Sequence, residues 1–316
     1  MVVTHGFLPG RAGADRGWAV TIGNFDGVHR GHRALLDQVK TRARELGIAS
    51  CVLTFEPHPR EYFAGSAATT GRPAGNPPAR ITRLRDKLEL LHAAGVERVH
   101  VAPFGARLAS LSAADFIDLM LLRGLGTRHV SVGQDFRFGK GRGGDLAFLQ
   151  SAGLTVEGIP DVQVDGERVS SSAVREALHA GDLRRAERLL GHPYFISGRV
   201  ARGARLGREL GCPTANIPLR RSPPLRGIFV VAAEGLAEGA KPGVASLGLR
   251  PTVNPVPSPL LEVHLLGFDG NLYGRRLRVR FLEKLRDEEK YDDLEALKNA
   301  ISSDVRRARE YFLRHG

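Results

Sequence analysis

The chain has 316 residues, 42% hydrophobic and 25% charged, which leaves room for two or three domains of about 100–200 residues each. These proportions exclude a disordered tail protein, a collagen-like chain and a coiled-coil rod. Its 46 basic residues outnumber 34 acidic ones for a net charge of +12, and all but seven of the 46 are Arg; this bias reflects genome composition, phosphate partners that fit the guanidinium fork, or both.

Two cysteines, Cys51 and Cys212, form no CxxC and no metal spacing, which fits a reducing cytosol and excludes a disulfide framework. Residues 1–17 hold no apolar stretch of signal-peptide length. No apolar run is long enough for a membrane-spanning helix. A cytoplasmic protein with no membrane partner is expected.

The elements follow in chain order. A strand over 18–22 precedes a helix over 34–45, with Ala34, Leu35, Leu36, Val39 and Ala43 at helical spacing. Then come a strand over 50–55 and a helix over 80–94, with Leu84, Leu88 and Leu91 on one stripe. A strand over 96–101 leads to a helix over 112–122, opened by Ser112 with Asp115 three residues on. A strand over 129–132, a helix over 146–152, a strand over 154–159 and helices over 172–180 and 183–190 complete this part. Strand alternating with helix predicts a parallel sheet covered on both faces, with ligands at the carboxyl ends of its strands. After Gly191 the texture changes to short Gly/Pro-punctuated strands over 194–200, 215–218, 227–233, 243–247, 260–266 and 276–281, then a helix over 294–313. That pattern predicts an antiparallel barrel closed by a C-terminal helix. The domains are expected to be 1–190 and 191–316. The Gly/Pro-rich stretch 64–79 reads as a mobile loop, and no internal repeat is visible.

The first candidate site follows the first strand: Gly23, Asn24, Phe25, Asp26, Gly27, Val28, His29, Arg30, Gly31, His32. Glycines let the backbone pass close to a ligand. His29 and His32, spaced i, i+3 at a helix start, can face one anion on that helix's N-terminus. The P-loop pattern is absent. An HxGH pair in a strand-to-helix turn reads as an adenylyl-transfer site, its histidines stabilising charge on an α-phosphate and a leaving pyrophosphate. The plainer alternative is a turn with two incidental histidines. Arg168, Ser171, Ser172 and Arg175 suit ATP phosphates, although Ser172 could equally be a helix cap and the arginines solvated. Residues 133–140, with Asp135, Phe136, Arg137 and Phe138, read either as a pocket for a planar ring bearing a phosphate or as a polar loop anchored by two Phe. Phe55 and His58, after the second strand, would line the same cleft; His58 is as readily structural as catalytic.

A second site begins in the Gly/Arg-rich residues 198–208, with Gly203, Gly207, Arg199, Arg202, Arg205 and Arg208, leading to Thr214 and Asn216. At i, i+2 on a strand these two share a face, and both offer hard oxygens suited to Mg²⁺ beside ATP phosphates. A basic RNA-binding hairpin is the alternative, weakened because Phe195 is a lone aromatic there. Further on, Leu261, Val263 and Leu265 face one side of a strand, and Glu262 and His264 the other. Glu262, expected to point into the barrel, is a candidate general base; a solvent-facing strand carboxylate is the plain alternative.

The motifs GNFDGVHRGH (23–32), FEPHP (55–59), VGQDFRFGKGRGGD (132–145), VSSSAVREAL (169–178), GRELGCPTANI (207–217), LEVHLLGFDGNLYG (261–274) and LRDEEKY (285–291) resemble, in order and over nearly the whole chain, the prokaryotic bifunctional riboflavin kinase/FAD synthetase family. The resemblance implies a Rossmann-like α/β nucleotidyltransferase module that adenylylates FMN to FAD, followed by an antiparallel β-barrel riboflavin kinase module. Each step would use ATP and Mg²⁺. It implies that His29 and His32 hold phosphates, and that Gly23, Asn24, Phe25, Asp26, Arg168, Ser171, Ser172 and Arg175 contact ATP. In the kinase, Gly207, Arg208 and Thr214 would contact ATP, Thr214 and Asn216 would hold Mg²⁺, and Glu262 would be the base. Phe55, His58, Asp135, Phe136, Arg137, Phe138 and Arg286 would bind flavin. The chain departs from the family pattern at Ser172, usually Thr, and at Cys212, usually Phe.

The two chemistries differ in what they require. Riboflavin's terminal hydroxyl must lose a proton, so its kinase needs a base. FMN's phosphate is already an anion, so its adenylylation needs positioning and charge stabilisation. Two rivals are a single-activity FMN adenylyltransferase with a flavin-binding barrel and a basic nucleic-acid-binding protein. Intact Thr214, Asn216 and Glu262 argue against the first; the second predicts steeply salt-dependent binding. Small-molecule partners without nucleic acid are expected, as a monomer or a weak homo-oligomer.

Overall fold

A computed structural model describes residues 1–7, 17–69, 77–202, 212–250 and 258–315. Two compact units are present: Met1–Pro78 with Leu84–Ser170, and Ala79–Arg83 with Ser171–Gly316.

In the first unit, among the described residues, six strands form one parallel sheet in the order β1-β4-β3-β2-β5-β6. They are β1 (Val2–His5), β2 (Trp18–Ile22), β3 (Ala49–Glu56), β4 (Arg98–Pro103), β5 (Thr127–Gly133) and β6 (Thr155–Ile159). All five residues of β2 are buried, as a central strand covered on both faces requires. After β2 the chain turns one way to β3 and β4, then returns to place β5 on the other side of β2. The turns after β3, β2 and β5 are therefore neighbours at the sheet's carboxyl edge, where such sheets take ligands. A small hairpin, β7 (Gln163–Val164) with β8 (Glu167–Arg168), follows β6.

The helix Arg30–Glu45 buries Leu35, Leu36, Val39 and Ala43, nearly the face expected. The helix expected over 112–122 divides differently. Ser112 caps a single turn, Ala113–Phe116, and a π-helix then runs Ile117–Leu125. The wider winding brings residues five apart together, and Asp118 pairs with Arg123. Gly126 ends it at φ 63°. Among the elements not expected are the short edge strand β1 and the helix Pro59–Thr69. The latter takes up residues 64–69 of the stretch read as a mobile loop, and 70–76 lie outside the described residues.

In the second unit the helices Ser171–Ala180 and Leu183–Leu190 pack together, and Gly191 stops the latter in the left-handed conformation. Among the described residues six antiparallel strands follow: β9 (Phe195–Arg199), β10 (Ala215–Pro218), β11 (Gly227–Glu234), β12 (Lys241–Arg250), β13 (Ser258–Leu265) and β14 (Arg276–Arg286). Their order is β10-β13-β12-β11-β14-β9. The two edges meet at an isolated bridge between Ala201 and Asn216, where the Ala201 N–H donates to the Asn216 carbonyl at 2.8 Å. The result is a nearly closed barrel. Phe229, Phe281, Tyr194, Leu261 and Val263 are buried, with Phe229 edge-on to Phe281. The opposite face carries Ile228, Val230 and Leu285, which pack with Ala308, Tyr311 and Phe312 of the helix Leu294–His315.

That arrangement corrects one expectation. Leu261, Val263 and Leu265 fill the barrel, so Glu262 points outward, onto the face the C-terminal helix partly covers. Burying apolar side chains decides which side of a strand faces in.

Candidate active sites

The first site is built on the turn after β2. Phe25 and Val28 are fully buried with left-handed φ of 50° and 41°. For a β-branched residue such as Val28 that conformation costs roughly 1–3 kcal/mol and persists only where the surroundings enforce it. The turn delivers His29 as the N-cap of the helix Arg30–Glu45, and its Nδ1 accepts the His32 N–H at 3.3 Å. With Nδ1 used as an acceptor, the neutral ring carries its proton on Nε2, which becomes a donor. The two imidazoles stack, centroids 3.6 Å apart. Phe25 leans on His32 at 5.0 Å. Gly31 explains the spacing: a Cβ there would lie 3.3 Å from the His29 ring and 3.6 Å from the Val169 carbonyl. Asp26 is buried, and Asn24 Oδ1 is buried without a hydrogen-bond partner among the described residues. Behind the turn the Thr54 hydroxyl donates to the Asn24 carbonyl at 3.3 Å, and buried Lys87 donates to that hydroxyl at 3.5 Å. Periodicity reads Lys87 as an ordinary polar helix position, so nothing in the sequence singles it out.

The neighbouring turn after β5 carries Asp135, Phe136, Arg137 and Phe138. Phe138 is buried against Phe116, stacks on Phe136 at 5.6 Å and anchors the loop. A Cβ on Gly144 would reach its ring at 2.5 Å. Arg137 bonds the Phe136 carbonyl. Arg168 joins this loop by pairing with Asp161 at 2.8 Å and Asp135 at 3.2 Å. After β3, Phe55 packs edge-on to Phe104. His58 acts as a cap, its Nδ1 accepting the Arg60 N–H at 3.1 Å. In the second unit, Arg175 ties the Ala79 and Ser171 carbonyls at 2.7 and 3.2 Å. Ser171 and Ser172 open the helix that carries it.

The barrel site is set by register. Asn216 of β10 and Ser246 of β12 both lie directly opposite Glu262 of β13, so three polar side chains form one row on the outer face. Asn216 Nδ2 donates to the Thr214 carbonyl at 3.4 Å. Asn216 Oδ1 is buried and has no hydrogen-bond partner among the described residues. Thr214 lies in the walls of two clefts. The larger, about 530 Å³, runs along Val200, Pro213, Thr214 and the turn Phe268–Tyr273. The smaller, about 280 Å³, holds Thr214, Ser246, Glu262, His264, Arg286, Glu288, Tyr291 and Asp304. Arg286 is gripped by Asp304 at 2.7 Å. Burial opposes the guanidinium's charge, but the buried Asp304 outweighs it and holds the pKa above its ordinary value. The turn 268–273 and Glu288 were not singled out in the sequence, although both lie in the motifs quoted for the family. Gly207 and Arg208 lie outside the described residues. No helix among the described residues is long and apolar enough to cross a membrane.

Comparison with known proteins matches both units. A family model for FAD synthetase covers residues 12–173, and one for riboflavin kinase covers 190–312. A bifunctional riboflavin kinase/FMN adenylyltransferase of Pseudomonas fluorescens is 50% identical, over 93% of each chain. One so described from Escherichia coli K12 is 46% identical, over 94% of this chain and 93% of its own. A crystal structure described as a macrolide-efflux protein from Streptococcus pneumoniae superposes at a TM-score of 0.80 with 25% identity, over 98% of this chain and 99% of that one. Given both family matches and identity at this level across nearly the whole chain, the protein belongs to the bifunctional riboflavin kinase/FMN adenylyltransferase family.

Proposed function

We propose that the protein makes FMN from riboflavin and ATP in its barrel module, and FAD from FMN and ATP in its parallel-sheet module. In the barrel, Glu262 takes the proton of riboflavin's terminal hydroxyl. The freed oxygen bonds the γ-phosphorus of ATP while the bond to the β–γ bridging oxygen breaks and ADP leaves. ATP occupies the larger cleft beside Thr214, with Gly207 and Arg208 on its phosphates, and riboflavin the smaller one, with Arg286 in its wall. Thr214 and Asn216 fit Mg²⁺: a hydroxyl and an amide oxygen are the hard donors it takes, and the buried Asn216 Oδ1 has an open lone pair. When bound, Mg²⁺ would neutralise charge on ATP's phosphates.

In the other module an FMN phosphate oxygen bonds the α-phosphorus of ATP and pyrophosphate leaves. His29, donating from Nε2, and His32 stabilise the charge that builds there. No base is needed. ATP contacts are assigned to Gly23, Asn24, Phe25, Asp26, Arg168, Ser171, Ser172 and Arg175. Phe55, His58, Asp135, Phe136 and Arg137 serve the flavin, with Phe138 as the anchor of their loop. By function the modules are taken to divide at residue 190, next to the left-handed Gly191, although the helices Ser171–Ala180 and Leu183–Leu190 cluster with the second compact unit. The protein works in the cytoplasm on small molecules, without nucleic acid, as a monomer or weak homo-oligomer.

The observation that carries the kinase reading is the row Asn216–Glu262–Ser246 beside a threonine shared by two clefts. Chromatography of riboflavin, ATP and Mg²⁺ after incubation with the protein is the test. FMN with ADP, then FAD with pyrophosphate, is the expected result; absence of both flavin products overturns the reading.

A further inference from the structure

On β12, Ser246 and Gly248 lie two residues apart and so share the outer face with Glu262. The Ser246 hydroxyl donates to Glu288 Oε1 at 3.4 Å. A Cβ on Gly248 would overlap the Glu288 carboxylate, approaching both its oxygens and its carbon. Gly248 does not have the positive φ that would itself demand glycine. A side chain there would instead displace the exposed Glu288 carboxylate from the place it occupies. Among the described residues, the smaller cleft's lining holds four carboxylates, Glu262, Glu288, Glu289 and Asp304, and one guanidinium, Arg286, which Asp304 takes. This wall accepts hydrogen bonds from hydroxyls and repels a phosphate dianion.

We infer that Glu288 is a specificity residue of this cleft. Seated on Gly248 and held by Ser246, its carboxylate favours an uncharged, hydroxyl-bearing flavin side chain and disfavours the same chain once phosphorylated. The substrate is thereby distinguished from its product by charge. The inference rests on the assignment of this cleft to riboflavin.

Gly248→Ala is a suitable probe, because the atoms it displaces are the end of a flexible side chain rather than backbone. Initial rates of ADP formation by the full-length protein, with riboflavin varied and FMN as inhibitor, give the ratio Ki(FMN)/KM(riboflavin). Gly248→Ala and Glu288→Gln should each lower this ratio about tenfold, the scale of one solvent-screened carboxylate–phosphate repulsion. Ser246→Ala should lower it less. FMN-to-FAD conversion by the same preparations should match wild type. An unchanged ratio in Gly248→Ala and Glu288→Gln overturns the inference, even if KM and Ki rise together, as a purely structural role would make them. Should Gly248→Ala lose its fold by circular dichroism, the ratio in Glu288→Gln decides. A wild-type protein that forms no ADP from riboflavin overturns the cleft's assignment itself, a failure seen without any variant.

Discussion

The two units hold their chemistry in different parts of the chain's geometry. In the parallel-sheet unit the site is stored in backbone conformation. Two buried left-handed residues, Phe25 and Val28, aim a helix whose cap and first turn are the histidines. In the barrel the site is stored in register. Asn216, Glu262 and Ser246 align because β10, β13 and β12 pair as they do, and slipping β13 by one residue would replace Glu262 with a leucine or valine. A turn-built site tolerates change in the sheet beneath it but not in the turn, whereas a register-built site is guarded by the hydrophobic core itself. The division suits the roles proposed for these residues: charge stabilisation needs fixed donors, and proton removal needs one carboxylate at one place.

Substitutions can break this comparison. The largest effect is expected from Glu262→Ala: riboflavin phosphorylation should fall about 10²–10⁴-fold, the usual worth of a general base, with FMN adenylylation retained. His32→Ala should do the reverse, lowering FAD formation about 10²–10³-fold and leaving ADP formation from riboflavin. Loss of both activities in a folded variant of either kind would sink the two-site reading. Gly31→Ala sharpens the claim about the turn. Its Cβ presses on the His29 ring, and a small misplacement should cost FAD formation on the order of tenfold, with a normal melting midpoint.

The smallest effect is a pH dependence confined to the parallel-sheet unit. Burial holds His100 and His129 below their usual pKa, and a hydrogen bond from Arg42 does the same for Glu157. The unfolded histidines take up protons first as pH falls below their ordinary 6.5, so stability is fully present above that value and declines beneath it. Glu157 adds a further loss at lower pH, as its carboxylate protonates. The melting midpoint should be flat from pH 8 to about 6.5 and fall below it. His129→Gln should flatten that fall; an unaltered profile would remove His129 from the account.

Much of this was legible in the sequence. Alternating periodicity revealed the parallel sheet, and the HxGH spacing brings His29 and His32 together because helix geometry fixes which side chains are neighbours. What failed to show was whatever depends on distant partners. Alternation along 261–265 separates Glu262 from Leu261 and Val263, yet the cleft around Glu262 needs Arg286, Glu288 and Asp304, all more than twenty residues away. Phe138 reads equally as ligand contact or anchor until Phe116 is seen against it. Lys87 lies on a helix whose periodicity gives no hint that its ammonium sits under the first site's turn. The π winding over Ile117–Leu125 leaves no mark that residue propensities register.

The bridge between Ala201 and Asn216 has a consequence for how the barrel matures. Asn216 sits on β10, an edge of the six-stranded order, and among the described residues this edge meets the β9 edge at one bridge. Asn216, proposed above as a Mg²⁺ ligand through its side chain, thus also latches the described edges through its backbone carbonyl. A chain with its other strand pairs formed but this seam open would keep its hydrophobic interior largely assembled while the edge carrying Asn216 remained loose. Under the role proposed for Asn216, use of ATP in the barrel would await that closure.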